Sequence, residues 1–242
     1  IDLGALSDSL KQLPIKACWF MSSLQNPMGA TLGEAQKAEL YALLKRHQVP
    51  LIEDDVYAEL YFGDRRPLPA KAFDREGLVL HCGSFSKCLA PGYRLGWAAP
   101  GRFAQAVARQ KLTTTLGASA PVQAALADYL QRGGFDKHLR RLRQTLAARQ
   151  ARVAEAVAAH FPPGTRATQP AGGYFLWVEL PEGADTLRLH RQALQHGISI
   201  APGPIFSASR GFAHCLRLNY GQEWNARSEA ALATLGQLAH AL

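Results

Sequence analysis

Residues 83–97, GSFSKCLAPGYRLGW, contain several side chains that could bind an anion and react with a carbonyl carbon. They include two hydroxyls, Ser84 and Ser86, the amine of Lys87 and the guanidinium of Arg94. Hydroxyls with an arginine suit phosphate, because a guanidinium can hold phosphate through two parallel hydrogen bonds. A partly desolvated lysine beside them loses its proton and can attack a phosphorylated aldehyde. By spacing alone, this segment could equally be an ordinary polar surface loop.

Residues 51–62, LIEDDVYAELYF, place two consecutive acids at the end of an apolar run. Asp54 and Tyr57 are three residues apart, where a predicted strand gives way to a loop. A carboxylate there could pair with a pyridinium nitrogen, and the phenol could bond a ring oxygen. The alternative is that Asp54 and Asp55 cap a helix, which short acids do well. A third segment, QNPMG at 25–29, predicts by itself only a turn.

The first part of the chain alternates short apolar runs with helical spacing, which predicts an α/β fold with a mainly parallel sheet. A helix is predicted over 31–48, where Thr31 and Glu34 form a capping box. The predicted strands are 15–21, 49–54, 78–82 and 95–100. Loops that follow such strands lie at the carboxyl edge of the sheet, where open α/β sheets bind ligands.

Helical spacing dominates after residue 100, and a smaller α+β unit follows it. We divide the chain into residues 1–132, part of a large domain, and residues 133–242, a small domain that starts with a long helix. The predicted helices are 102–112, 121–131, 135–161, 185–196 and one from about 225, and the predicted strands are 174–180, 197–202 and 215–220.

Composition excludes several classes of protein. With 48% apolar and 19% charged residues, the 242-residue chain is neither wholly disordered nor a coiled-coil rod, and it has no apolar run that could span a membrane. Its four cysteines form no C-x-x-C pair, so we expect no metal site. They also do not resemble a secreted disulfide framework, and free thiols suit the reducing cytoplasm, where we expect the protein. The net charge of +8 and the arginines of 138–152 could mark a nucleic-acid surface, but a solvated amphipathic helix is the favoured interpretation.

Together the three segments resemble a known family. The motifs S-x-S-K-x-x-x-P-G-x-R-x-G-W, D-x-x-Y and N-P-x-G are similar to those of the fold-type I pyridoxal-phosphate enzymes, the class I/II aminotransferases. CLRLNYG at 215–221 resembles their carboxylate-binding strand, and AGGYFLWVEL at 171–180 resembles the strand that opens their small domain. The resemblance implies the fold-type I architecture and pyridoxal 5′-phosphate as the cofactor.

The resemblance implies a catalytic group. Lys87 is similar to the Schiff-base lysine, which also moves a proton between the substrate Cα and the cofactor C4′. Asp54 resembles the partner of the pyridine nitrogen, which stays protonated beside it so that the ring can accept electrons. Tyr57 and Asn26 resemble the pair that bonds the 3-oxygen of the ring.

The resemblance also implies binding residues. Ser84 and Arg94 are similar to the phosphate ligands, with Ser86 as a further candidate. Arg217 resembles the arginine that clamps the substrate α-carboxylate, and Asn26 is a second candidate contact for the substrate. Arg217 could instead be a solvated strand residue, but its place between two leucines favours a buried anion partner.

A finer resemblance, carried by DDVYAELYFG, PLPAKAFD and HCGSFSKCLAPGYRLGW, is to the aminotransferase-like half of the MocR-type GntR transcriptional regulators. In that family a winged helix-turn-helix precedes a fold-type I domain, which binds pyridoxal phosphate and reports ligand state to the DNA-binding part. The chain is therefore expected to be the effector half of such a regulator. The alternative is a free-standing aminotransferase that acts on amino acids and 2-oxo acids.

Compared with both families, the chain is expected to be N-terminally truncated. In the family, the preceding segment carries a Gly/Ser/Thr loop for the phosphate and an aromatic residue that stacks on the ring. The expected ligand is an amino acid or a related amine. We expect a homodimer for the full-length protein, DNA contact only through a domain outside this chain, and no membrane association.

Overall fold

The computed structural model describes residues 1–242, which fall into two compact units. The first unit contains residues 1–25 and 30–141, and the second contains residues 26–29 and 142–242. The predicted domain boundary between residues 132 and 133 stays a prediction. None of the helices is both long enough and apolar enough to cross a membrane.

The first unit is built on a four-stranded sheet in the order β1-β2-β3-β4. The strands are β1 Cys18–Phe20, β2 Leu51–Asp54, β3 Val79–Ser84 and β4 Gly96–Ala99. The first three strands are parallel and β4 is antiparallel to β3. The predicted α/β fold with a mainly parallel sheet is therefore confirmed.

The helices of the first unit are α1 Leu3–Gln12, α2 Glu34–Arg46, α3 Ala104–Thr114 and α4 Ala120–Gln131, with short 3₁₀ turns at Ala58–Leu60, Ala70–Phe73, Pro91–Tyr93 and Gly101–Phe103. The predicted capping box at Thr31 is wrong. The Gln36 side chain instead accepts a hydrogen bond from the backbone N–H of Gly33, at 3.0 Å. Thr31 is used in the preceding loop, where its hydroxyl accepts from the N–H of Leu24 at 2.9 Å.

One apolar core holds α1 and α2 against the sheet. Its fully buried members include Leu40 and Leu44 of α2, Leu51 of β2 and Val79 of β3. Burying each such leucine or valine side chain contributes about 1.5–3 kcal/mol relative to exposure. This packing fixes where β2 and β3 begin, and the residues that the sequence singles out follow at their carboxyl ends.

Two charged side chains are buried beside this core. The Lys37 ammonium donates to the Ser23 hydroxyl at 2.7 Å and to the Leu68 carbonyl at 2.8 Å. The Glu53 carboxylate accepts from the Ser22 hydroxyl at 2.5 Å and from the N–H of Ala70 at 2.6 Å. Burial lowers the pKa of Lys37, although neighbouring carboxylates oppose the change. These bonds fix residues 22–23, shortly before the QNPMG turn.

The second unit contains an antiparallel sheet in the order β5-β6-β8-β7. Its strands are β5 Arg166–Ala167, β6 Phe175–Glu179, β7 Ala201–Pro202 and β8 Cys215–Asn219. Its helices are α6 Thr186–Gln195, α7 Ala226–His240 and the part of α5 Gly134–His160 that follows residue 141, with a 3₁₀ turn at Gly203–Phe206. The strand predicted over 197–202 is therefore confined to its last two residues.

Candidate functional site

The loop that carries Lys87 begins where β3 ends, at Ser84. The N–H of Phe85 donates to the carbonyl of Leu95 at 3.1 Å, which closes the loop at its base. The N–H of Ser86 donates to the Ser84 hydroxyl at 3.1 Å, so the two predicted serines are adjacent in space. Cys88 is buried beneath the loop, whereas Lys87 is exposed. The local chain geometry therefore leaves the lysine side chain accessible.

Arg94 contacts one of the two serines, Ser86. It follows the 3₁₀ turn Pro91–Tyr93 in a left-handed conformation, with φ of 48°. One guanidinium nitrogen donates to the Ser86 hydroxyl at 3.3 Å. The structure thus brings together the predicted phosphate donors, and their chemistry fits a phosphate group: one cation, two hydroxyls and a neighbouring amine.

Asp54 and Tyr57 lie in the same unit, at the end of β2. Asp54 is the parallel-sheet partner of Cys82 on β3, and its carboxylate accepts from the N–H of Val56 at 3.4 Å. Burial raises the pKa of Asp54, while hydrogen bonds from Val56 and Trp19 and the charge of Lys87 oppose the rise. A cationic ring nitrogen would offset this burial cost by pairing with the carboxylate.

Tyr57 is 4% exposed, and the Lys87 amine lies 5.9 Å from the centre of its ring. The first unit therefore gathers Lys87, Asp54 and Tyr57, as the sequence predicts. The alternative in which Asp54 and Asp55 cap a helix is wrong, because the 3₁₀ turn Ala58–Leu60 has Tyr57 at its N-cap and no side-chain cap hydrogen bond. Asp55 does not join this group and is buried elsewhere.

Asn26 and Arg217 belong to the second unit. An Arg217 guanidinium nitrogen donates to the Asn26 side-chain oxygen at 2.5 Å, although the residues are 191 positions apart in the chain. Asn26 precedes a cis proline in a turn that ends at Gly29, which has a φ of +72°. A Cβ at Gly29 would lie 2.5 Å from the Pro170 side chain, so this turn requires glycine.

Two aromatic rings surround the Arg217 guanidinium. Its central carbon lies 4.1 Å from the centre of the Phe175 ring and 5.0 Å from that of Phe206. Such contacts hold a guanidinium flat and reduce its exposure to water, which strengthens its attraction for a carboxylate. The sequence does not predict this role for Phe175 and Phe206, although the aromatic run at 174–177 is a signal for the first of them.

The structure contains no cluster of three or more His, Cys, Asp or Glu side chains arranged to hold a metal ion, and the four cysteines are free thiols. The groups available for ligand chemistry are therefore the lysine loop and the end of β2 in the first unit, and the Asn26–Arg217 pair in the second. The predicted pair of Tyr57 and Asn26 is divided between the two units, so its shared role stays a prediction.

Residues 1–232 match the model of the family described as aminotransferase class I and II. The HTH-type transcriptional regulator YdcR of Escherichia coli K12 is 50% identical over 238 residues, which are 98% of this chain and 51% of the regulator. Aromatic-amino-acid aminotransferase 1 of Thermococcus litoralis is 32% identical over 226 residues, 91% of this chain and 54% of the enzyme. The chain thus spans about half the length of these relatives.

Among solved structures, the α-aminoadipate aminotransferase LysN of Thermus thermophilus superposes with a TM-score of 0.91 and 30% identity, over 99% of this chain and 62% of LysN. That structure contains N-(5′-phosphopyridoxyl)-L-leucine, a compound of the cofactor with an amino acid. These comparisons confirm the predicted fold-type I architecture, and the ligand agrees with the predicted cofactor.

Proposed function

Because the chain belongs to the aminotransferase class I and II family, we propose that it binds pyridoxal phosphate through its lysine loop and an amino acid or related amine through Arg217. One observation carries the proposal. In the first unit, Lys87 stands next to the Ser86–Arg94 pair and 5.9 Å from the Tyr57 ring. These neighbours supply hydroxyls and a guanidinium for the phosphate, an amine for the Schiff base and a phenol for the ring.

We assign the chain to the effector half of a MocR-type GntR regulator. The 50% identity to the regulator YdcR, over 98% of this chain, supports this assignment. In this proposal, ligand state at Lys87 is reported to a DNA-binding domain that lies outside these 242 residues. A homodimer and a cytoplasmic location are part of the same proposal.

The roles follow from the chemistry of each side chain. When bound, pyridoxal phosphate supplies an electron sink for the bonds at the amino acid Cα. Lys87 holds the cofactor carbon and carries a proton to or from Cα. Asp54 keeps a proton on the ring nitrogen, because its negative charge stabilises the cationic form. Ser84, Ser86 and Arg94 hold the phosphate.

The remaining residues orient the ring and the ligand. Tyr57 donates a hydrogen bond to the 3-oxygen of the ring, since a phenol carries a donor. The Asn26 oxygen is engaged by Arg217, so its amide hydrogens are directed to other acceptors. Arg217 binds the α-carboxylate, which a guanidinium can grip with two parallel bonds.

The test is to trap the covalent bond on the complete gene product. Borohydride reduction of the protein with pyridoxal phosphate is expected to fix the cofactor on Lys87, identified by peptide mass spectrometry. Lys87→Ala is expected to abolish the adduct while leaving weak binding through Ser84 and Arg94. Lys111→Ala, on the exposed helix α3, is the control and is expected to keep it. Labelling at Lys71 or Lys111 would contradict the proposal.

A free-standing aminotransferase is the second candidate function. Lys87, Asp54 and Tyr57, the residues that such chemistry needs, are all present in the first unit, and the Thermococcus litoralis enzyme is 32% identical. Two measurements on the complete gene product separate the candidates. A regulator changes its affinity for DNA from its own promoter when an amino acid or amine is added. An aminotransferase releases a 2-oxo acid from the amino acid over many turnovers.

A further inference from the structure

Asp55 directly follows the end of β2 and is buried. Asp55 is 4% exposed, and its backbone N–H donates to the carbonyl of Cys82 on β3 at 2.9 Å. One carboxylate oxygen accepts from the Arg66 guanidinium at 2.8 Å and from the His81 ring at 2.8 Å. The Trp97 ring meets His81 edge-on at 5.0 Å, so His81 is held from a second direction.

Arg66 also reaches a second carboxylate. Its Nε donates to Glu59 at 2.7 Å, while a terminal nitrogen donates to Asp55. Asp55 and Glu59 stand on either side of Tyr57 in the sequence, within the turn that follows β2. A single guanidinium thus binds two carboxylates, one on each side of Tyr57 in the chain.

We propose that Arg66 is a positioning residue, which together with His81 holds residues 54–60 so that Asp54 and Tyr57 are correctly placed for the cofactor. This inference rests on the proposed function. The segment needs such support, because it contains only the last residue of β2 and one 3₁₀ turn. A misplacement of about 1 Å at a reacting group can reduce a rate on the order of a hundred-fold.

The geometry requires arginine at this position. A guanidinium presents donors in a rigid fork and can serve two carboxylates at once, whereas a lysine ammonium is a compact point charge on a flexible stem. Arg66→Lys therefore keeps the charge but engages Asp55 and Glu59 less well. Arg66→Gln removes the charge and leaves the buried Asp55 with His81 as its donor.

The neighbouring residue is a matched control. Arg65 also forms an ion pair, with Glu34 at 2.9 Å, but its side chain is 81% exposed, whereas that of Arg66 is 30% exposed. Arg65→Gln removes the same charge from the same loop without touching Asp55 or Glu59. A general charge effect would appear in both variants, and a positioning effect only in Arg66→Gln.

The first measurement needs no cofactor: amide hydrogen exchange of the complete gene product without pyridoxal phosphate. Arg66→Gln is expected to speed exchange in residues 54–61 on the order of ten-fold and to leave α2 unchanged, because loss of the clamp frees only that segment. The exchange rate of the same residues in Arg66→Lys is expected to lie between those of Arg66→Gln and the wild type. If residues 54–61 exchange at the same rate in Arg66→Gln as in Arg65→Gln, the proposal is overturned. If Arg66→Gln does not fold, the same comparison is made with Arg66→Lys.

The second measurement is the pH midpoint of the visible absorbance of bound pyridoxal phosphate, which depends on the placement of Asp54 and Tyr57. The midpoint is expected to shift in Arg66→Gln, to shift less in Arg66→Lys and to stay constant in Arg65→Gln. An unchanged midpoint in Arg66→Gln would overturn the positioning role. If the wild type binds no cofactor, the proposed function fails, whereas the exchange experiment still tests the clamp by itself.

Discussion

At the scale of single residues, Asp54 and Asp55 are adjacent in the chain and have opposite environments. Asp54 shares its neighbourhood with Lys87, whereas Asp55 is buried against Arg66 and His81. Successive residues at a strand end point to opposite faces, so two identical side chains meet different neighbours. The proposed function therefore gives the two carboxylates different roles.

Asp54→Asn is expected to keep the fold and to slow the amino-acid-dependent conversion of bound cofactor on the order of a hundred-fold or more. The physical reason is that a neutral amide cannot stabilise a positive charge on the ring nitrogen. Stopped-flow absorbance of the cofactor-loaded gene product measures the rate.

Asp55→Asn is the control for this prediction, because asparagine can still accept a hydrogen bond from Arg66. We expect it to slow the conversion far less and to lower thermal stability instead, since a buried ion pair is lost. A larger rate loss in Asp55→Asn than in Asp54→Asn would show that the assignment is wrong by one residue.

At the scale of elements, the turn between Ala70–Phe73 and β3 depends on one buried acid. The Asp74 carboxylate accepts from the Lys71 ammonium at 2.9 Å and from the N–H groups of Leu78 and Val79, each at 3.0 Å. Burial by itself would raise the pKa of Asp74, but these donors outweigh it and hold the pKa well below its ordinary value. The turn thereby fixes the start of the strand that leads to Lys87.

Asp74→Asn is expected to lower the free energy of unfolding by about 2 kcal/mol at pH 7, because it weakens several hydrogen bonds to a charged group. A carboxylate with a depressed pKa in the folded state stabilises the fold above its unfolded pKa of about 4 and less at lower pH. The difference in the free energy of unfolding between Asp74→Asn and the wild type should therefore become smaller below about pH 4. Urea unfolding at several pH values measures it, with exposed Asp64→Asn as control. A difference that is constant with pH would contradict the assignment.

At the scale of the whole molecule, apolar surface remains exposed on α3 and after it. No residue of α3 is buried, and Leu112 and Leu116 are 62% and 77% exposed. Large exposed apolar side chains close together in sequence are typical of association surfaces. This surface is consistent with the proposed homodimer.

The chain is therefore expected to self-associate at micromolar concentration, and the double variant Leu112→Ser, Leu116→Ser is expected to raise the monomer fraction severalfold. Burial of these two leucines in an interface is the physical reason. Sedimentation velocity over a concentration series measures the fraction. Leu194→Ser, on α6 and 51% exposed, is the control and should leave it unchanged. If the wild type, the double variant and Leu194→Ser have the same monomer fraction, α3 does not contribute to the interface.

The sequence by itself determined the features that depend on neighbouring residues. An apolar run followed by a polar loop predicts that Lys87 stands just beyond a strand, and it does. The three-residue spacing of Asp54 and Tyr57 at a strand end is likewise local information. Strand and helix periods reflect which side of an element is buried, so these features can be read from short stretches of sequence.

Only the tertiary structure decided which distant residues meet. Arg217 pairs with Asn26 across 191 positions, and Arg66 and His81 converge on Asp55 from separate segments. Periodicity indicates that a side chain is buried, but its partner depends on how the elements pack. Lys37 shows what each source of information contributes. Its spacing from Leu40 and Leu44 of α2 indicates that it lies on the buried face. Only the packed structure supplies the oxygen atoms of Ser23 and Leu68, whose hydrogen bonds offset the cost of burying the ammonium.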